Sequence, residues 1–275
     1  MMRLTAVTPQ ALAREHPEWA AWFALLDEAR RAQDEPLWTR GLPAVDTLSA
    51  GAAPLLHHVV LAVDARRAER FVRRLLDLSA PGGAVRSSRL DLPRLLEAAV
   101  RQDLARLDEV AGELGMAPVA LRAVAAVAVM PLLHACRRAW TDAWPKDWRE
   151  GICPLCGAWP ALAEARGLER CRRLRCARCG GDWDTDWLRC PYCQNREHER
   201  LGSLVTGAAL DTLKVETCEA CHGYIKTLTT LQATPPEGVA LLDLATVELD
   251  LAGLEHGYRR PHAPGHALEV QVVAA

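Results

Sequence analysis

Eight of the ten cysteines in this 275-residue sequence stand in four Cys-x-x-Cys pairs: Cys153/Cys156, Cys176/Cys179, Cys190/Cys193 and Cys218/Cys221. Two thiolates three positions apart on a tight turn can reach one cation together, and four of them complete a tetrahedral shell for zinc or iron. A shell closed by four sulfurs leaves no position for a catalytic water, so hydrolytic metal chemistry is not expected. A disulfide framework is the other use of so many cysteines, but it belongs to oxidising compartments. The N-terminal stretch "MMRLTAVTPQALAREHPEW" has no apolar core of signal-peptide length, because Arg14, Glu15 and His16 interrupt it. The expected location is the cytoplasm, where metal or redox chemistry is the default for paired cysteines.

Four pairs can be sorted into two quartets in three ways, and internal similarity favours one. The first and third pairs read "CPLCG" and "CPYCQ", each with Pro after the first Cys, while "RLRCARCGGDW" and "KVETCEACHGY" each follow a charged, strand-like lead-in. The alternation is that of a duplicated unit. It assigns Cys153, Cys156, Cys176 and Cys179 to one ion and Cys190, Cys193, Cys218 and Cys221 to a second. Nineteen residues separate the halves of the first quartet, within the spacing familiar for zinc sites; the twenty-four of the second lie slightly outside it. Gly157 and Gly180 suit the positive φ that often follows such a turn. Gln194 and His222 do not, so the second quartet is expected to turn differently, passing the unusual angle to Asn195 and Gly223.

Other reactive residues read as structural. Cys136 lies on an apolar helix and suits a small core residue. Cys171 is expected to be a free cysteine rather than a spare ligand. His222 follows a ligand position and could replace it, but four thiols are already available. His57, His58 and His134 fall in helical segments without partners at metal spacing, and His256, His262 and His266 in a loop-rich tail. No Walker sequence, dinucleotide glycine fingerprint, Gly-x-Ser-x-Gly elbow or His-Glu-x-x-His is present, and no catalytic residue or organic cofactor site is assigned. Arg166, Arg170, Arg172, Arg173, Arg175 and Arg178 crowd the second pair with only Glu169 locally opposing them. A solvated basic face that offsets thiolate charge is the preferred reading over a docking patch.

The elements that position these cysteines change character near residue 148. Residues 1–148 are rich in Ala, Leu, Arg and Glu with apolar residues at three-and-four spacing, which predicts helices near Pro9–Ala32, Leu55–Leu78, Leu92–Leu114 and Pro118–Trp140. Pro118 suits a first turn and Gly115 a C-terminal cap, and "SAPGGA" (Ser79–Ala84) is a turn or loop. Trp19, Trp22 and Phe23 share an apolar stripe read as core. "VALRAVAAVAVMPLLHACRRAW" is interrupted by Arg122, Pro131 and His134 and reads as a buried helix rather than a membrane span. Beyond "WTDAWPKDW", residues 149–188 form a first four-cysteine module and 189–275 a second with a C-terminal extension. That extension holds a possible closing helix in Ala240–Arg260 and a short strand or loose tail. The expected fold class is therefore a helical N-terminal domain followed by two tandem rubredoxin-like or zinc-ribbon-like modules.

The strings "ICPLCGAWP", "LRCARCGGDW", "RCPYCQN", "VETCEACHGYIK" and "DLATVELDLAGLEHGYRR" resemble those of the formate dehydrogenase accessory protein family, FdhE, from about Gly151 to Arg260. The resemblance implies a non-enzymatic, cytoplasmic maturation factor that binds the catalytic subunit of formate dehydrogenase before it becomes active or is exported. It implies that the eight paired cysteines hold two metal ions, with iron expected ahead of zinc. A rubredoxin-type electron-transfer protein is the alternative, and a zinc-ribbon nucleic-acid binder a weaker one. The formal net charge of −2 argues against nucleic acid as the main partner. No small-molecule substrate and no membrane insertion are expected, and self-association is left open.

Overall fold

A computed structural model of the chain describes residues 8–45, 48, 53–79, 90–204 and 212–275. These fall into two compact units. One holds residues 145–266; the other holds residues 8–144 and takes back residues 267–275 from the far end of the chain.

The helical unit comprises α1 (Pro9–Glu15), α2 (Ala20–Ala32), strand β1 (Val60–Val63), α3 (Ala65–Ser79), α4 (Leu92–Arg101), α5 (Leu104–Leu114), α6 (Pro118–Ala128) and α7 (Met130–Ala139). Two of the four predicted helices are broken by local chemistry, and a third, Pro118–Trp140, divides at Val129 into α6 and α7. Pro17 opens a 3-10 turn between α1 and α2. Gln102 ends α4 in the left-handed region, and the Asp103 carboxylate then caps α5 by accepting from the Arg106 N–H at 3.0 Å. Asp91 caps α4 in the same way through the Arg94 N–H. Gly115 and Pro118 take the expected cap and first-turn positions. Of "SAPGGA", only Ser79, which ends α3, falls among the described residues.

The Leu55–Leu78 expectation is corrected in its first half, where Val60–Val63 is a strand. Its partner is the last element of the chain, β8 (Gln271–Ala274), in parallel register with Val60 opposite Gln271. Residues 267–275 therefore complete the helical unit and are not an extension of the second module. Of the proposed aromatic stripe only Phe23 is core; Trp22 is exposed and Trp19 half-buried against His16. The stretch Pro118–Ala139 is long and apolar enough to cross a membrane by length and composition alone, yet 72% of its apolar window is buried. Most of its apolar residues are core, with Leu121, Val124, Leu132 and Leu133 all inaccessible, while Val119 is exposed.

The cysteine-bearing unit is built on one six-stranded sheet. Its strands are β2 (Leu162–Arg166), β3 (Cys171–Arg175), β4 (Asp182–Asp184), β5 (Leu201–Leu204), β6 (Leu213–Cys218) and β7 (Gly223–Thr230), in the order β4-β3-β2-β7-β6-β5. Each half is a three-stranded antiparallel meander. The halves join where β2 runs parallel to β7, Leu162 opposite Lys226. Two short helices, α8 (Val239–Ala245) and α9 (Val247–Glu255), follow the sheet. Val239 and Leu242 pack on Leu162 and Leu228, and Leu249 packs on Val215 and Tyr224. Lys226, on central β7, is buried beneath them; its ammonium meets Asp243 at 2.8 Å and Asp250 at 2.7 Å, and Arg260 pairs with the same two carboxylates. A buried charge of this kind is tolerable only because it is surrounded by opposite charge and carbonyl acceptors.

Candidate metal centres

Each meander carries its cysteines at equivalent places. One pair precedes the first strand, and the other lies in the turn after the second: Cys153–Cys156 before β2 and Cys176–Cys179 between β3 and β4, then Cys190–Cys193 before β5 and Cys218–Cys221 between β6 and β7. The antiparallel hairpin returns the chain to its starting end, so the two turns of each half face each other. The structure brings Cys153, Cys156, Cys176 and Cys179 together, and separately Cys190, Cys193, Cys218 and Cys221, with the sulfurs of each group within 4.8 Å of one another. The two pairs nearest in sequence, Cys176/Cys179 and Cys190/Cys193, therefore sit in different groups.

The separations test the fit to a metal. In the first quartet Cys153 and Cys179 are 3.5 Å apart, Cys156 and Cys176 3.6 Å, and Cys156 and Cys179 3.9 Å. In the second, Cys190–Cys221 and Cys193–Cys218 are each 3.7 Å. Four sulfurs at about 2.3 Å from a central zinc stand about 3.8 Å from one another by tetrahedral geometry. A disulfide needs about 2.0 Å. Each quartet could thus hold one metal ion, and none of the ten cysteines is in a disulfide. Burial pushes the Cys153 and Cys179 thiols well above their ordinary range, whereas hydrogen bonds from Cys153, Cys176 and Cys179 hold Cys156 well below it. Four sulfurs gathered out of water cannot all ionise unaided, and a bound ion would displace the protons they carry.

The turns themselves are alike. The Gly157 N–H donates to Cys153 O at 2.9 Å, the Gly180 N–H to Cys176 O at 3.0 Å and the Gln194 N–H to Cys190 O at 3.0 Å. The residue after the second cysteine has positive φ in all four: 64° at Gly157, 71° at Gly180, 64° at Gln194 and 52° at His222. The expectation that the second quartet turns differently is therefore corrected. Closing the turn around the sulfurs dictates the backbone angle, and the non-glycine residues adopt it at a cost of about 1–2 kcal/mol each.

What differs is the cover. Cys153, Cys156, Cys176 and Cys179 are all inaccessible, whereas in the second quartet Cys193 and Cys221 are exposed. Chain that returns after β7 lies over the first quartet. Pro236, just before α8, sits so close to Gly180 that a methyl group there would stand 2.5 Å from its Cβ. Near Gly157, the Trp159 indole N–H donates to Ala263 O at 3.0 Å. Beside the second quartet a cavity of about 220 Å³ opens instead, lined among others by Cys190, Cys218, Trp187, Tyr192 and Leu201.

Within the arginine cluster, Arg166, Arg172, Arg173 and Arg175 form an internal network rather than the expected solvated face. Arg175 and Glu164, both buried, pair at 2.7 Å across β2 and β3; Arg166 pairs with Glu164 and Asp182, Arg173 with Asp182 and Asp184, and Arg172 with Glu216 at 2.7 Å. Glu169 is thus not the only opposing charge, since the carboxylates come from neighbouring strands. The pairing removes most of the basis for a phosphate-binding face. Cys171 is exposed on β3 and Cys136 is buried on α7, and neither joins a quartet. His222 is exposed, its ring tilted toward Tyr258, with Cys221 rather than the imidazole completing the group. Among the described residues no His, Asp or Glu joins a further cluster able to hold a metal.

These features define a class: proteins with a helical unit and a small sheet carrying two four-cysteine clusters, each able to hold one metal ion. Within that class the relatives are FdhE proteins. Residues 188–265 match the family described as FdhE, C-terminal domain. The chain is 37% identical over 158 residues, half of each sequence, to the FdhE homolog of Stutzerimonas stutzeri, and 30% identical over 148 residues, 48% of each, to that of Pseudomonas aeruginosa. It spans about half the length of the curated relatives it matches. The crystal structure of the FdhE protein from Pseudomonas aeruginosa shares the fold, with a TM-score of 0.52, 23% identity, and coverage of 94% of this chain and 92% of that one. The resemblance carried by the cysteine motifs is borne out.

Proposed function

We propose that this protein is a non-enzymatic accessory factor that binds the catalytic subunit of a formate dehydrogenase in the cytoplasm, before that subunit becomes active or is exported. The observation that carries this reading is the pair of sulfur quartets on one sheet, the second of them within residues 188–265, which match the FdhE C-terminal domain. Cys153, Cys156, Cys176 and Cys179 would hold one ion, and Cys190, Cys193, Cys218 and Cys221 the other. Iron is the proposed ion in rubredoxin-like surroundings; a tetrathiolate set also accepts zinc. When bound, each ion cross-links two turns that are otherwise joined only by the hairpin between them. The chain's own residues then do the rest: the Glu164–Arg175 pair and the Lys226 network fix the strands that carry the turns, giving a rigid surface for a client.

The test is capture. Tagged full-length protein, purified without oxygen and shown by metal analysis to carry its ions, is expected to retain a formate dehydrogenase catalytic subunit. Failure of the intact, metallated protein to retain it would count against the reading. The exposure of Cys193 and Cys221 favours one second reading, electron transfer at the second quartet. That reading requires reversible visible bleaching on reduction, and a colourless protein with its native metal would remove it.

A further inference from the structure

We propose that the second quartet is a ligand-exchange centre, which gives up and takes back its ion by reaction with a small soft-donor chelator while the first quartet keeps its own. The inference rests on the metal-holding part of the proposed function and not on client binding.

Exchange at a filled four-sulfur shell requires an incoming donor to reach the ion's edge and a departing sulfur to have somewhere to go. The first quartet offers neither. Its four cysteines are inaccessible, and Pro236 is packed against the turn at Gly180. The second quartet offers both. Cys193 and Cys221 face solvent, one on each of its two turns, so each turn can release a sulfur into water without moving the sheet. The cavity that reaches Cys190 and Cys218 gives a donor a second approach, from the side of Trp187. Gln194 and His222, each following an exposed ligand, hold left-handed angles that strain a side-chain-bearing residue and that are freed to relax when the neighbouring sulfur lets go. No electron moves in the exchange. Each metal–sulfur bond that breaks is replaced by a bond from the acceptor's donor atom, and the freed thiolate takes a proton from water or waits for the next ion.

The experiment uses the full chain loaded with two zinc ions and an excess of the chromophoric chelator 4-(2-pyridylazo)resorcinol. The expected release has two phases of one ion each, at least tenfold apart in rate. Iodoacetamide added after the fast phase should alkylate Cys190, Cys193, Cys218 and Cys221 and spare the first quartet, with exposed Cys171 modified throughout as an internal standard. In Cys221→Ser the slow phase should persist unchanged while the fast ion is already absent or leaves sooner. Release of both ions in one phase, alkylation of Cys153, Cys156, Cys176 or Cys179 during the fast phase, or a chain that holds only one ion would overturn the proposal. A chain that takes up no zinc would sink the metal reading along with it, whereas biphasic release from a protein that captures no client would leave this inference standing and remove only the client.

Discussion

Gly157 and Gly180 hold φ of 64° and 71° beneath four sulfurs that solvent cannot reach; Gln194 and His222 hold 64° and 52° beside Cys193 and Cys221, which it can. The turns agree to within the scatter of any regular structure, and the surroundings do not. The difference teaches that turn geometry and burial have separate origins in this sheet. Geometry is set within five residues, by two sulfurs and the hydrogen bond that closes the turn. Burial is set much later in the chain, by Pro236 returning onto the turn at Gly180.

The largest way to test this contrast is to remove one ligand from each quartet. A structural tetrathiolate site contributes on the order of 10 kcal/mol, comparable to the whole stability of a domain. Cys176→Ser, in a site where water cannot replace the lost sulfur, should abolish cooperative unfolding of the sheet unit. Cys193→Ser, where water can, should leave a folded chain that has lost one ion; circular dichroism with metal analysis distinguishes the two. Equal collapse of both variants would break the comparison. The ion pairs should follow the same division. Arg175→Met strips the buried Glu164 of its closest buried partner and should cost about 3 kcal/mol, whereas Lys214→Met, at a half-exposed pair with Glu216, should cost under about 1 kcal/mol in denaturant unfolding of the metallated protein.

Turn substitutions give the finer tests. Gly180→Ala forces a side chain into both a left-handed angle and contact with Pro236, and should destabilise by about 1–3 kcal/mol. His222→Gly removes the same strain while giving up the ring contact with Tyr258, and should stabilise by up to about 1 kcal/mol. A midpoint that falls for His222→Gly would show that its angle is not strained, and the contrast between the two turns would lose its basis.

The quartets could be read from the sequence because their order is written in it: "CPLCG" and "CPYCQ" alternate with two charged lead-ins, and duplication leaves one economical pairing. The positive φ at Gln194 and His222 was not legible, because glycine after the second cysteine is a preference of the unstrained turn and closure around the sulfurs overrides it. Nor was the neutralisation of Arg172, whose partner Glu216 arrives 44 residues later on another strand, beyond any local charge window. The strand Val60–Val63 is hidden from the sequence for a similar reason. Its β-branched residues suit a strand, but the partner that makes them one, Gln271–Ala274, is the last segment of the chain. By contrast α5 and α6 could be read directly, since Gly115 and Pro118 act within one turn of their own position.

The most direct measurement of the central claim is a cobalt(II) titration of the reduced, metal-free full chain, following the absorption bands of tetrahedral thiolate coordination. Two quartets predict saturation at two ions per chain with four-sulfur spectra at both, and the loss of one equivalent with the other retained in the folded variant Cys193→Ser. Saturation at one ion, spectra of mixed sulfur and nitrogen or oxygen ligation, or a single variant that abolishes both sites while the protein stays folded would contradict it.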